Sequence, residues 1–170
     1  PDRGSVRVDG LELSSMTDAH RRRFRLHRIG MVFQEFELLD HLSAIDNIRL
    51  PYIVGGTDGK DGQAVESLAR TLGVSHTLAR KPRQLSQGER QRIGICRALV
   101  TRPALLLCDE PTGSLDPAST ESVLDLLQTQ ARAEGTTMVM VTHDHGVLDR
   151  FDRVIDIRSL SRVAERESGS

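Results

Sequence analysis

Two adjacent carboxylates close the apolar run Ala104-Leu105-Leu106-Leu107-Cys108-Asp109-Glu110-Pro111. In an open α/β sheet, ligands bind beyond the carboxyl ends of the strands. Asp109 has the chemistry to hold Mg2+, directly or through water, because Mg2+ takes few carboxylates together with phosphate and water. Glu110 has the chemistry to polarise an attacking water. A pair of solvated acids at a strand end is the plainer alternative for either residue alone.

Three further stretches carry chemistry. In Leu85-Ser86-Gln87-Gly88-Glu89-Arg90-Gln91-Arg92, Ser86 and Glu89 have capping-box spacing, which predicts a helix start. The free N–H groups and positive dipole end of such a start make an anion site, and Gly88 lets a phosphate approach the backbone. A well-capped helix with no ligand fits the same residues. In Val139-Met140-Val141-Thr142-His143-Asp144, a strand runs into an imidazole able to donate to a phosphate oxygen. A structural histidine is the alternative, and a metal site from His143 and His145 finds no further ligand cluster in the sequence. Gln34 follows the apolar Ile29 to Phe33, and its amide oxygen can face Mg2+ or water. Taken alone it says almost nothing.

The elements that would position these groups follow from local signals. Ser5 to Val8 and Leu11 to Leu13 alternate around Asp9-Gly10, which predicts an antiparallel hairpin. Asp18 to Leu26 reads as a basic helix and Ile29 to Phe33 as a strand. Ser43 caps a short helix through Ile48, ended by Pro51. Gly55 to Gly62 reads as a mobile surface loop, and Ala64 to Leu72 as a helix capped by Gly73. The helix from Ser86 runs to about Val100. Leu105 to Cys108 is apolar throughout, the pattern of a parallel sheet covered on both faces. Asp116 and Pro117 start a helix to about Ala133, with Gly135 beyond it. Thr137 to Val141 and Arg153 to Ile157 read as strands, and the polar tail over 158–170 as frayed. Alternating strands and helices predict an α/β three-layer fold, with a mainly helical side lobe at about 38–100.

Composition bounds the partners. The 170 residues carry a formal net charge of -1, which gives no reason to expect nucleic acid. The basic run from His20 to Arg28 fits lipid headgroups or nucleic acid, but with the overall charge balanced a solvated helix face is the better expectation. Cys96 and Cys108 lack C-x-x-C spacing and lie among apolar residues, so buried thiols in a reducing compartment are expected. No apolar run is long enough to span a bilayer and no leader is visible, which together predict a cytoplasmic protein whose membrane role goes through a partner.

Gln34, the Leu85 to Gln91 stretch, Asp109-Glu110-Pro111, Ser114-Leu115-Asp116 and Thr142-His143-Asp144 occur in this order. Together they resemble the Q-loop, signature, Walker B, D-loop and H-loop of ABC ATPases, over roughly residues 1–157. Phe33 to Leu39, Asp46 to Pro51 and Glu110 to Asp116 are similar to the branch that releases lipoproteins and exports macrolides, which also includes the cell-division ATPase. The resemblance implies a P-loop NTPase-like fold, ATP and Mg2+ as cofactors, and hydrolysis of ATP. It implies Glu110 as general base and His143 on the γ-phosphate. Asp109 and Gln34 would serve Mg2+. Ser86, Gln87, Gly88 and Glu89 would form the signature that meets the γ-phosphate held by a second subunit, and Asp116 would lie at the dimer interface. Gln87 stands where the family more often has Gly. The implied partners are a second nucleotide-binding subunit in a homodimer and transmembrane permease subunits, at the inner face of the cell membrane.

One family feature is missing. No G-x-x-x-x-G-K-[ST] occurs in the 170 residues, and that loop supplies the backbone cradle and lysine for the β- and γ-phosphates. In the family it precedes the stretch resembling Gly4 to Gly10. The chain, beginning at Pro1, therefore reads as truncated at its N-terminus, without the first strands, the phosphate loop or the adenine-stacking aromatic residue. The expectation is a chain nearly inactive on its own. The resemblance further implies that the Leu105 to Cys108 strand lacks one neighbour and that the isolated chain is poorly ordered or insoluble. Two rival readings remain: a degenerate ABC domain without turnover, and a soluble ABC ATPase outside transport.

Overall fold

Asp9 and Gly10 both take left-handed backbone, with φ of 52° and 74°. That is the turn whose twist matches a two-residue hairpin, and it joins β1 (Arg7–Val8) to β2 (Leu11–Glu12), paired antiparallel. The architecture comes from a computed structural model that describes residues 4–56, 62–113 and 115–159. The loop expected at Gly55 to Gly62 falls largely on 57–61, outside the described residues. Ser114 and the tail from 160 onward lie outside them too.

Helix α1 (Asp18–Arg28) starts at Thr17, whose hydroxyl accepts from the His20 N–H. Phe24 is its buried residue, while Arg22, Arg23 and Arg25 are exposed. Asp18 pairs with Arg21, and Asp9 with Arg28. Three parallel strands follow along the chain: β3 (Ile29–Phe33), β4 (Leu105–Asp109) and β5 (Thr137–Val141). Their order is β3-β4-β5, with Phe33, Asp109 and Val141 in register. Between β3 and β4 run α2 (Ala44–Gly55), α3 (Gly62–Thr71) and α4 (Gln87–Leu99). Between β4 and β5 runs α5 (Pro117–Ala133).

One hydrophobic cluster joins sheet and helices. It includes Val32, Leu106 and Cys108 from the strands, Ile48 and Val65 from α2 and α3, Ile93 and Cys96 from α4, and Leu127 from α5. Gly30 is required where α4 meets β3: a Cβ there would lie 2.2 Å from the Ala98 carbonyl oxygen. Burial pushes the Cys96 and Cys108 thiols up to about 12, as fits inert core thiols.

Four expectations are corrected. Pro51 does not end its helix; α2 continues to Gly55 and stops at Gly56, whose φ is 69°. Only one N–H is lost at Pro51, and the helix is held by packing along α4 and α1. Arg153 to Ile157 forms no strand, and Val154, Ile155 and Ile157 are exposed, with no strand edge paired to them. The strand ending at Asp109 lacks no neighbour, because β4 is paired on both sides. Among the described residues the free edges lie on β3 and β5 instead. Nor, among the described residues, are both faces of the sheet covered. Gly30, Val32, Leu106 and Cys108 turn to the core, but Met31 on the opposite face is 45% exposed and Val139 is 48% exposed.

Candidate functional site

The register of the sheet brings the predicted residues to one edge. Because Phe33, Asp109 and Val141 are paired, the residues just beyond them, Gln34, Glu110 and Thr142, leave the sheet together at its carboxyl end. The backbone there is unusual. Glu110 has φ of 44°, a left-handed conformation that a non-glycine residue adopts at a cost. It is held by its N–H donating to the Val141 carbonyl at 3.0 Å and by its own carbonyl accepting from the Gly113 N–H at 3.1 Å. Asp109 is exposed at the strand end.

His143 and Glu110 are in direct contact, Nδ1 to Oε2 at 2.5 Å. The hydrogen bond to Glu110, and then its charge, raise the His143 pKa above the usual imidazole value. Gln34 reaches the same place. A Cβ on Gly113 would lie 3.1 Å from Glu110 Oε2 and 3.2 Å from Gln34 Nε2, so the two side chains crowd one point that glycine leaves open. On its other side Gln34 lines a groove with Glu35, Asp40, Gln87 and Arg90. The structure thus gathers Gln34, Glu110 and His143 at one edge with Asp109, and puts Gln34 beside the start of α4.

The start of α4 has the expected cap. The Ser86 hydroxyl accepts from the Glu89 N–H at 3.3 Å, and Glu89 Oε2 accepts from the Ser86 N–H at 2.7 Å. That backbone hydrogen bond leads the lowering of the Glu89 pKa, and His76 adds a contact at 3.1 Å. Gly88 is exposed, with open space where a Cβ would be. Asp116 caps α5 through the Ser119 N–H, and the Ser119 hydroxyl is the main cause of its lowered pKa. Ser86, Gly88 and Asp116 lie on exposed surface. Among the described residues no group of three or more His, Cys, Asp or Glu is arranged to hold a metal ion.

Sequence reasoning missed three supporting side chains. Gln91, 2% exposed, donates to the Pro111 carbonyl at 2.9 Å and ties α4 to the turn after Glu110. Asn47 is fully buried; it accepts from the Leu39 N–H and donates to the Leu39 and Ser43 carbonyls. Arg97 donates to the Phe36 and Glu37 carbonyls. A polar residue in an otherwise apolar helix stripe was the available signal, but the partners of Gln91 and Arg97 are distant in sequence.

A family model described as ABC transporter matches residues 1–113. The chain belongs to the ABC transporter family. It is 40% identical to the macrolide export ATP-binding/permease protein MacB of Syntrophobacter fumaroxidans, an alignment that spans the whole chain and 24% of that protein. It is 38% identical to the lipoprotein-releasing system ATP-binding protein LolD 2 of Caulobacter vibrioides, over 93% of the chain and 70% of that protein. The LolD of Xanthomonas euvesicatoria is 40% identical, over 92% of the chain and 65% of its own length. The chain therefore spans about a quarter of the first of these relatives and about two thirds of the others. Among solved structures, the dimeric ATP-binding cassette MJ0796 bound to ADP and Pi superimposes with a TM-score of 0.73 at 33% identity, over 86% of this chain and 66% of that one. The fold is that of an ABC cassette, with an α/β parallel sheet. Among the described residues, no helix of this ABC chain is long and apolar enough to cross a membrane.

Proposed function

We propose that this chain is the ATP-binding and ATP-hydrolysing part of a transporter. Two such parts close on MgATP and drive transmembrane permease subunits from the cytoplasmic face of the membrane. The observation that carries the reading is the shared strand edge, where Gln34, Asp109, Glu110 and His143 leave one sheet together, with Glu110 bonded to His143. Glu110 is the general base that takes a proton from the attacking water. His143, hydrogen-bonded to Glu110, is the residue that contacts the γ-phosphate. Asp109 and Gln34 offer hard oxygen donors, the kind Mg2+ prefers with phosphate and water filling its remaining positions. Bound there, Mg2+ neutralises charge on the phosphates.

Ser86, Gln87 and Gly88 lie on the open N-terminus of α4, which suits a γ-phosphate carried by the opposite subunit; Glu89 keeps that helix start capped. Asp116 belongs to the same interface. The groove beside Gln34 is the docking face for the permease. The dimer assignment draws on the dimeric MJ0796 cassette, and the permease assignment on relatives named as export and lipoprotein-releasing ATP-binding proteins. The domain is read as residues 1–157, with its helical lobe at about 38–100 and a polar tail beyond.

ATP-dependent dimerisation tests the proposal. The chain is joined to the phosphate-loop segment of a LolD relative. In this form Glu110→Gln binds ATP and accumulates an ATP-bound dimer, whereas Ser86→Arg binds ATP and remains monomeric. A Ser86→Arg protein that dimerises normally contradicts the placement of the signature across the interface.

A further inference from the structure

Gln34 is followed by a turn with two consecutive non-glycine residues in left-handed backbone, Phe36 at φ 63° and Glu37 at φ 46°. L-residues resist this region, so such a pair persists only where the surroundings hold it. Local bonds are few: the Phe36 N–H donates to Phe33 at 3.2 Å and the Glu37 N–H to Glu35 at 2.8 Å. Beyond the turn, buried Asn47 fixes Leu39 from both its N–H and its carbonyl. At the turn itself the holding group is Arg97. Its Nη1 donates to the Glu37 carbonyl at 2.5 Å and its Nη2 to the Phe36 carbonyl at 2.6 Å. One planar fork thus takes the carbonyls of both strained residues, a geometry that the single ammonium of lysine cannot reproduce.

Arg97 lies on α4, eleven residues after Ser86, near the far end of the helix that Ser86 caps. A shift of α4 therefore pulls on the two peptides that follow Gln34. We propose that Arg97 is a positioning residue: it clamps the left-handed turn at Phe36 and Glu37, sets the Gln34 side chain beside Glu110, and couples movement of the signature helix to Gln34. The clamp stands on contacts in this chain. Its consequence for catalysis rests on the reading of Gln34 given above.

The test is nuclear magnetic resonance on the 15N-labelled chain, following the Gln34 side-chain amide pair and the backbone amides of 36–39, with Ile93 and Ile95 as internal controls. In Arg97→Gln the Gln34 amide signals move toward random-coil positions. The 36–39 amides exchange at least tenfold faster, and the Ile93 and Ile95 amides stay protected. Arg97→Lys falls between the two. Glu37→Gly, which removes the steric objection to left-handed backbone, restores slow exchange in the Arg97→Gln background. Unchanged Gln34 signals in folded Arg97→Gln overturn the proposal, as does full equivalence of lysine with arginine. If Arg97→Gln fails to fold, shifted Gln34 signals in folded Arg97→Lys support the clamp and wild-type signals overturn it. Failure of both variants to fold also overturns it, because the role would then be global. A confirmed clamp alongside normal ATP turnover in an Arg97→Gln protein joined to the LolD segment would remove the role of Gln34 and leave the clamp standing.

Discussion

His143 Nδ1 lies 2.5 Å from Glu110 Oε2, so the proposed base is hydrogen-bonded to the residue proposed to meet the phosphate. The two come from different strand ends, β4 and β5, and meet because Asp109 and Val141 are in register.

A pH dependence follows. The hydrogen bond and charge of Glu110 raise the His143 pKa above 6.5. A raised imidazole pKa makes the contribution of the pair to stability fully present below the unfolded value. That contribution is lost as pH rises through the higher folded value. An NMR titration of the His143 ring is expected to show a midpoint above 6.5, and Glu110→Gln is expected to bring it back toward 6.5. A wild-type midpoint at or below 6.5 means that the contact is not formed in solution.

Packing gives a stability prediction at Gly30. An added Cβ meets the backbone oxygen of Ala98 at 2.2 Å, in the last turn of α4, where the helix backbone has little room to give. Gly30→Ala is expected to destabilise the chain by about 1–3 kcal/mol, the usual range for overpacking. Gly88→Ala, with open space at its Cβ position, is expected to change stability by less than about 0.5 kcal/mol, as for an ordinary surface site. Urea unfolding of both variants is the check. Equal midpoints would show that α4 does not press on β3 as closely as described.

The free edge of β5 makes a third prediction. Val139 and Val141, 48% and 49% exposed, lie along an unpaired edge, the kind of surface that templates association between chains. The isolated 170-residue chain is expected to self-associate with rising concentration, and Val139→Lys to suppress this without lowering the unfolding midpoint. Sedimentation velocity over a concentration series decides it. A wild-type chain that stays monomeric throughout shows that the edge is harmless.

Much of this site is legible in the residues because its signals are local. A cap such as Ser86 with Glu89 needs only a spacing of three, and an apolar run ending in Asp109-Glu110 announces a strand end. The hairpin at Asp9-Gly10 is equally local. The failures all depend on neighbours distant in sequence. Pro51 stays within a helix because α4 and α1 hold that helix. Arg153 to Ile157 has strand composition but finds no partner edge. The strand order, which leaves β4 paired on both sides, is a property of the whole sheet. Gln91 and Arg97 act on backbone carbonyls far along the chain, so a polar residue in an apolar stripe marks them but not their partners.

With no G-x-x-x-x-G-K-[ST] in its 170 residues, the purified chain is expected to show almost no MgATP turnover. Turnover typical of an ABC ATPase in this chain alone, abolished by Glu110→Gln, would overturn that expectation.

The most direct measurement is steady-state MgATP hydrolysis by the chain joined to the phosphate-loop segment of a LolD relative, with and without Glu110→Gln. The account predicts turnover in the parent and a loss of roughly 10^2- to 10^4-fold in the variant, the usual contribution of a positioned base, with ATP affinity retained. Equal turnover in the two proteins would contradict the assignment of Glu110 as the base. No turnover in a parent that binds MgATP would contradict the hydrolytic reading itself.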